Sequence, residues 1–230
     1  MIKEAIILAG GMGTRLQSVI TEIPKPMAPV GERPFLSIIL DSLSDQGIEH
    51  IILSVGYKHE VIYTYFGNSY KDIKIDYAIE NEALGTGGAV SLAMNYLNDE
   101  AFIMMNGDTL FDVDLNLLSD FHHKNKSDIS IALKPVINQN RYGLVKIDDD
   151  NRIIEFAEKQ PIDQGLINGG VYISSRQFIS TLELPKKYSW EKNILEKQTK
   201  SSKMYGFISN SYFIDIGIPS DYAKAQSELR

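Results

Sequence analysis

The stretch from Ile6 to Pro29 constrains this chain more than any other. Ile6-Ile7-Leu8-Ala9 is a short apolar run that reads as a buried strand. It ends at Gly10-Gly11-Met12-Gly13, where the backbone can take positive φ and no Cβ shields the amides. Consecutive unshielded N–H groups form a concave anion nest, and Arg15 follows two residues later. Lys25, between Pro24 and Pro26, adds a second cation on a stiffened loop. Together these features describe a polyphosphate site. A plain turn accounts for the glycines, but not for Thr14-Arg15-Leu16 and Pro24-Lys25-Pro26 in addition. Leu16 stands where a dinucleotide fingerprint needs its third glycine, and Gly-Lys-Ser/Thr is absent, so neither a Rossmann cofactor site nor a Walker A loop fits.

A phosphate ligand has to be met by local cations, because the chain as a whole carries a net charge of −7. That balance argues against a nucleic-acid surface. No run approaches the ~20 apolar residues of a membrane span, and Met1-Ile2-Lys3-Glu4 leads straight into a strand without a signal peptide, so no membrane insertion is expected. The absence of cysteine removes thiol catalysis and zinc–thiolate sites and suits a cytoplasmic protein.

After the glycine loop, Phe35 to Leu43 carries apolar residues at helical spacing, with Gly47 as its stop. Ile51 to Val55 is a strand ended by Gly56, Val61 to Phe66 a short helix stopped at Gly67, and Ile73 to Ile79 an alternating strand. Ala89 to Leu97 reads as helical and Ala101 to Met105 as a third compact strand. This alternation indicates βαβ units and a mostly parallel sheet over residues 1–126. Beyond Lys126, Ile129 to Val136, Gly143 to Ile147, Arg152 to Ala157 and Leu166 to Ile173 read as strands added antiparallel. Trp190 to Thr199 reads as a helix, Tyr205 to Ser209 and Tyr212 to Asp215 as late strands, and Ser220-Asp221 as the cap of a last helix to Leu229. The expectation is one α/β domain over residues 1–230. Ligands of open α/β sheets sit beyond the carboxyl ends of the strands, so Gly10–Gly13, Gly85–Gly88 and Asn106-Gly107-Asp108 are expected to converge.

Asp108, at a strand end and reached through Gly107, is placed either to bind Mg²⁺ beside a triphosphate or to make an Asx-turn. Asp215 is flanked by apolar residues, where a carboxylate is costly unless a cation meets it. Asp112 and Asp114 read as helix-entry residues. Glu158-Lys159 taken alone reads as a surface ion pair. His122-His123 has no partner pattern and reads as a solvated helix face.

The pattern G-G-x-G-T-R-L followed by P-K-P-M resembles the signature of the sugar-1-phosphate nucleotidyltransferases, and five segments match in order from Leu8 to Pro219. The resemblance implies a Rossmann-like, mostly parallel mixed sheet flanked by helices, the glycosyltransferase-A-like nucleotidyltransferase fold. It implies a nucleotide-binding half over 1–126 and a sugar-binding half over 127–230. In that family Leu8, Ala9, Gly10, Gly11, Gly13, Thr14 and Arg15 would hold the nucleotide. Glu80 would take the base edge and Gly88 would lie against the ring, with Gly85, Thr86 and Gly87 also binding the nucleotide. Asn106, Gly107, Tyr142, Gly143, Glu158, Lys159, Asn168, Gly169 and Gly170 would hold the sugar phosphate. Asp108 and Asp215 would share Mg²⁺, and Arg15, Lys25 and Asp108 would be catalytic.

Many thymidylyl- and uridylyltransferases carry Gln where this chain has Glu80. A carboxylate only accepts hydrogen bonds, and guanine offers two adjacent donors, so the residue favours GTP while leaving adenine and cytosine open. Within the family, L-G-T-G-G-A and P-K-P-M-A-P-V are most similar to the D-glycero-α-D-manno-heptose 1-phosphate guanylyltransferases. Ile218 departs from the D-x-G-T-P of many relatives. A mannose 1-phosphate guanylyltransferase, an amino-sugar uridylyltransferase and a non-catalytic nucleotide-sugar sensor remain the competing readings.

Overall fold

The computed structural model describes residues 1–11, 23–139, 142–157 and 162–229. The first half runs β1 (Glu4–Leu8), β2 (Pro29–Val30), β3 (Arg33–Pro34), α1 (Phe35–Asp45), β4 (His50–Val55), α2 (His59–Phe66), β5 (Ser69–Tyr70), β6 (Ile73–Ile79), α3 (Gly85–Ala93), β7 (Ala101–Asn106), β8 (Thr109–Phe111) and α4 (Leu115–Asn125). The second half runs β9 (Ile129–Gln139), β10 (Leu144–Ile147), β11 (Ile153–Ala157), β12 (Ile162–Ser175), α5 (Arg176–Ser180), a π-helical turn over Trp190–Glu196, β13 (Met204–Ile208), β14 (Phe213–Asp215) and α6 (Pro219–Glu228).

The apolar runs that read as buried strands pair in parallel. Ile6 of β1 lies opposite Ile52 of β4 on one side and Met104 of β7 on the other, and β6 extends the sheet beyond β4. Side chains alternate across the pleat. Ile7, Leu53 and Met105 therefore face α1, α2, α4 and α6, packing with Phe35, Ile39, Ile62, Leu118 and Tyr222. Ile6, Ile52 and Met104 face the other way and pack with Val90 of α3, Ile179 of α5 and Trp190. Because both faces are covered, these strands lack the polar alternation of half-exposed ones.

The second half continues the same sheet, in the order β11-β10-β12-β7-β1-β4-β6-β5, with β9 and β13 branching from β12. Val171 to Ser175 of β12 run antiparallel to β7, and Ile162 to Asn168 pair with β9. The register shifts between Asn168 and Tyr172, where Gly170 takes φ +74°. A β-bulge with a left-handed glycine bends the strand there, so Asn168-Gly169-Gly170 marks a corner.

Three element readings are corrected. The helix expected at Ala89 begins at Gly85, because the Tyr188 carbonyl accepts from Gly87 N at 3.0 Å and from Gly88 N at 3.3 Å, satisfying amides that isolated glycines leave open. The last helix is entered by Ile218, with Pro219 in its first turn and no side-chain cap from Ser220 or Asp221, since proline presets the helical φ. The helix expected over Trp190 to Thr199 is π-helical over Trp190–Glu196. Asp114 does cap α4, accepting from Asn116 N and Leu117 N at 2.9 Å each.

His122 also departs from expectation. His123 is exposed, but His122 is buried, with Nδ1 3.0 Å from Ser130 Oγ. Burial, helped by neighbouring His123, lowers its pKa from 6.5 to about 4. The unfolded chain binds this proton more tightly than the fold does, so the stability contribution is present above pH 6.5 and is lost as the pH falls toward 4. Thermal unfolding should show up to about 3 kcal/mol of acid loss from this residue. His122→Gln should flatten that limb, and an unchanged pH dependence would contradict the assignment.

Candidate active site

The carboxyl ends of β1, β4, β6 and β7 open on a cleft of about 490 Å³. Leu8, Ala9, Gly10 and Gly11 line its floor, Glu80, Gly85 and Thr86 one wall, and Asn106, Asp108, Lys25 and Gly217 the other. The convergence expected from strand order is therefore observed for Gly10, Gly11, Gly85, Thr86, Asn106 and Asp108, and not for Gly87, Gly88 or Gly107. Gly13, Thr14 and Arg15, and likewise Glu158 and Lys159, lie outside the described residues.

Asp108 and Asp215 are far apart in sequence and are joined by a short antiparallel ladder. β14 runs against β8 with Asp215 opposite Thr109, and Ile216 N donates to Asp108 O at 3.0 Å. Lys25 is delivered from the other side by a 3₁₀ turn over Lys25–Met27, entered from the extended Pro24. Its ammonium donates to Asp108 Oδ2 and stands 3.9 Å from Asp215 Oδ1, with its side chain 9% exposed. Asp215 also accepts from Gly217 N at 2.7 Å and from the Tyr142 hydroxyl at 3.4 Å. A Cβ at Gly217 would fall 2.7 Å from Asp215 Oδ1 and 3.2 Å from Lys25 Nζ, so only glycine leaves room for this grouping. Two carboxylates focused on one ammonium make a hard, oxygen-rich point that suits a divalent cation with water and phosphate completing its shell. Among the described residues no third carboxylate or histidine joins them.

Glu80 follows β6, anchored by its own amide donating to Val55 O at 2.8 Å. Its Oε2 accepts from Leu84 N at 3.1 Å. Burial raises the Glu80 carboxyl above its ordinary value, partly offset by that amide. Ionisation of Glu80 consequently works against its burial, and hydrogen-bond donors from a ligand would offset that cost. Gly10 is required by this neighbour, because a Cβ there would lie 2.9 Å from Glu80 Oε1 and 3.2 Å from Gly56 N. Gly107 is held close to β1, donating to Leu8 O at 2.9 Å.

The glycines of Gly85-Thr86-Gly87-Gly88 admit a flat group, and that group belongs to the chain itself. A Cβ at Gly87 would lie 2.0 Å from the Tyr188 ring, and one at Gly88 would lie 2.6 Å from Lys186 O. Tyr188 N donates to Leu84 O at 2.9 Å, and its hydroxyl meets Ser91 Oγ at 2.7 Å. Gly85 and Thr86 line the cleft, whereas Gly87 and Gly88 lie under this strap and are not among the lining residues. Asn168, Gly169 and Gly170 are likewise behind the wall. Asn168 Nδ2 donates to Tyr172 Oη at 2.7 Å and its Oδ1 accepts from Gly170 N at 3.0 Å, while Gly170 backs onto Asn106. Gly143 is packed against Ala157 O, and the Tyr142 ring stands edge-on to Phe213.

Sequence reasoning missed Ser54, Ala83, Ala89, Glu191 and the exact need for Gly217 among the lining residues. Ser54 carried one signal: a hydroxyl inside the otherwise apolar run of β4. Glu191 carried none, because a lone acid in a predicted helix reads as solvent-facing.

A family model described as nucleotidyl transferase matches residues 4–230. A D-glycero-α-D-manno-heptose 1-phosphate guanylyltransferase from Aneurinibacillus thermoaerophilus is 52% identical over 99% of this chain and 98% of its own length. One from Campylobacter jejuni is 46% identical over 95% and 96%. The crystal structure of HddC from Yersinia pseudotuberculosis complexed with GMP-PN superposes with a TM-score of 0.90 at 39% identity, covering 100% of both chains. The chain belongs to the nucleotidyl transferase family.

The strap predicts a specific coupling. Gly87→Ala should destabilise the fold by about 1–3 kcal/mol through overpacking against Tyr188. Combining it with Tyr188→Leu should recover part of that loss in a double-mutant cycle. Strict additivity of the two melting shifts would show that the ring does not set the need for glycine.

Proposed function

We propose that this protein transfers GMP from GTP to D-glycero-α-D-manno-heptose 1-phosphate, giving GDP-heptose and pyrophosphate in the cytoplasm for surface-polysaccharide synthesis. The observation that carries the reading is one cleft holding a half-buried acceptor carboxylate, Glu80, together with the Lys25–Asp108–Asp215 charge cluster. Two guanine donors match Glu80, whose raised carboxyl gains most from being met by N–H groups. The names of the relatives above, all guanylyltransferases of this heptose phosphate where the sugar is stated, support the same substrate pair.

In the reaction a phosphate oxygen of the sugar 1-phosphate attacks the α-phosphorus of GTP, the new P–O bond forms, and the bond to the β-phosphate breaks with pyrophosphate leaving. Positioning and charge neutralisation dominate such a transfer, and no protein nucleophile is needed. Asp108 and Asp215 would hold a divalent cation, Mg²⁺ in this reading, which supplies charge neutralisation to the phosphates. Lys25 offsets charge developing near the α-phosphate. Gly10, Gly11, Gly13, Thr14 and Arg15 hold the triphosphate, and Gly85 and Thr86 flank the base. Tyr142, Gly143, Glu158, Lys159 and the Asn168–Gly170 corner shape the sugar-phosphate end. Residues 1–126 thereby serve the nucleotide and 127–230 the sugar within one domain. Among the described residues no helix is long and apolar enough to cross a membrane.

Pyrophosphate release, crossing four NTPs against heptose, mannose, glucose and N-acetyl-amino-sugar 1-phosphates, tests the reading. GTP with the heptose phosphate should give the strongest signal. Lys25→Ala should lose on the order of 10²–10³-fold in kcat, and Glu80→Gln should raise the KM for GTP. A dominant signal with UTP or dTTP would overturn the base assignment, one with mannose 1-phosphate the sugar assignment, and silence with intact nucleotide binding would leave a sensor.

A further inference from the structure

Glu191 lines the cleft from the start of the π-helical turn and is anchored there with care. Its Oε2 accepts from Thr86 Oγ1 and from Ser189 Oγ, each at 2.8 Å. Thr86 Oγ1 in turn accepts from Trp190 N at 2.9 Å, and Ser189 N donates to Asn193 Oδ1 at 3.0 Å. Two donors on one oxygen fix the carboxylate, while Oε1 receives no hydrogen bond from the described residues. No cation among the described residues pairs with it either. A half-buried carboxylate with one oxygen saturated and the other bare is poised for a donor from outside the chain.

The position of Glu191 says which part of a ligand would bring that donor. Glu80 follows β6, on the far side of the sheet order β12-β7-β1-β4-β6, and Asp108 follows β7. Glu191 lies toward β12: the ring of adjacent Trp190 stands edge-on to that of Tyr172 on β12, 6.0 Å between centroids, and Tyr172 Oη receives the Asn168 amide. A nucleotide whose base meets Glu80 and whose phosphates meet Lys25 and Asp108 runs from β6 toward β7. The acceptor joins at the α-phosphate and must continue toward β12. A phosphate there would be repelled by Glu191, whereas the neutral hydroxyls of a polyol are donors that match it.

We propose that Glu191 is a specificity-determining residue that accepts a hydroxyl of the acceptor sugar 1-phosphate through its unengaged Oε1. The assignment rests on the guanylyltransferase reading above and adds a named residue to the sugar end of that site. Thr86 and Ser189 act as positioning residues, because they hold the carboxylate at the correct rotation.

Steady-state kinetics of the full chain with GTP and heptose 1-phosphate test it. Glu191→Gln keeps an oxygen for Thr86 and Ser189, and thus the fold. It should raise the KM for the sugar phosphate about tenfold or more and leave the KM for GTP within about twofold. In parallel, sugar 1-phosphates each lacking one hydroxyl should include at least one that the wild-type protein uses about tenfold less well and that Glu191→Gln does not discriminate. A rise in the KM for GTP alone would put Glu191 on the nucleotide and overturn the assignment. An unmoved sugar KM would also overturn it, as would a wild-type protein indifferent to every deoxygenation. Wild-type silence with all sugar 1-phosphates would remove the guanylyltransferase reading itself, and this assignment with it, a result distinct from an active enzyme whose variant is unaffected.

Discussion

The site depends on one contact, the Lys25 ammonium held between Asp108 and Asp215. Two carboxylates that close repel each other, and their pairing in a partly buried cleft is tolerable only with a cation between them. Three separate devices bring the groups together. The β8–β14 ladder aligns the two acids, the 3₁₀ turn after Pro24 aims the lysine, and Gly217 leaves the space. The Gly10 turn and Glu80 are then placed by the same sheet, since both pack on the end of β4 at Val55 and Gly56.

The two halves of the chain divide the work without dividing the sheet. The parallel strands β7-β1-β4-β6 present loops at one edge, as open α/β sheets do. β12 then runs back beside β7 and bends at Asn168-Gly169-Gly170, which turns the antiparallel strands and Tyr142 toward the acids. The segment from Lys186 to Glu191 closes the other wall by lying over α3. Its Tyr188 carbonyl accepts from Gly87 N and Gly88 N in the first turn of that helix, so those two amides are not offered to a phosphate.

Much of this was legible in the sequence because it follows from local rules. Apolar runs ended near glycine located β1, β4 and β7 to within a residue or two, alternation located β6, and Gly47 and Gly67 marked helix ends. The need of Asp215 for a cation was legible, because a carboxylate among apolar residues is costly without one, but that Lys25 meets both acids was not, since the lysine read as a phosphate-binding residue. What was not legible depends on tertiary partners. The start of α3 is set by the Tyr188 carbonyl, roughly a hundred residues away in sequence. His122 is buried because β9 supplies Ser130, and no pattern within α4 reveals that. The glycines of the α3 segment fit a flat ring, and only the fold tells that the ring on Gly87 is Tyr188. Glu191 entered the cleft through a π-helical turn whose extra width helical periodicity does not encode.

The most direct test of the account is the affinity of Mn²⁺, a spectroscopic substitute for Mg²⁺, measured by electron paramagnetic resonance without nucleotide. If Lys25 and a divalent cation answer to the same two carboxylates, Lys25→Met should bind Mn²⁺ more tightly than the wild-type protein, and adding Asp215→Asn should abolish the gain. Equal affinity in the wild-type protein and Lys25→Met, or a gain that survives loss of Asp215, would contradict it.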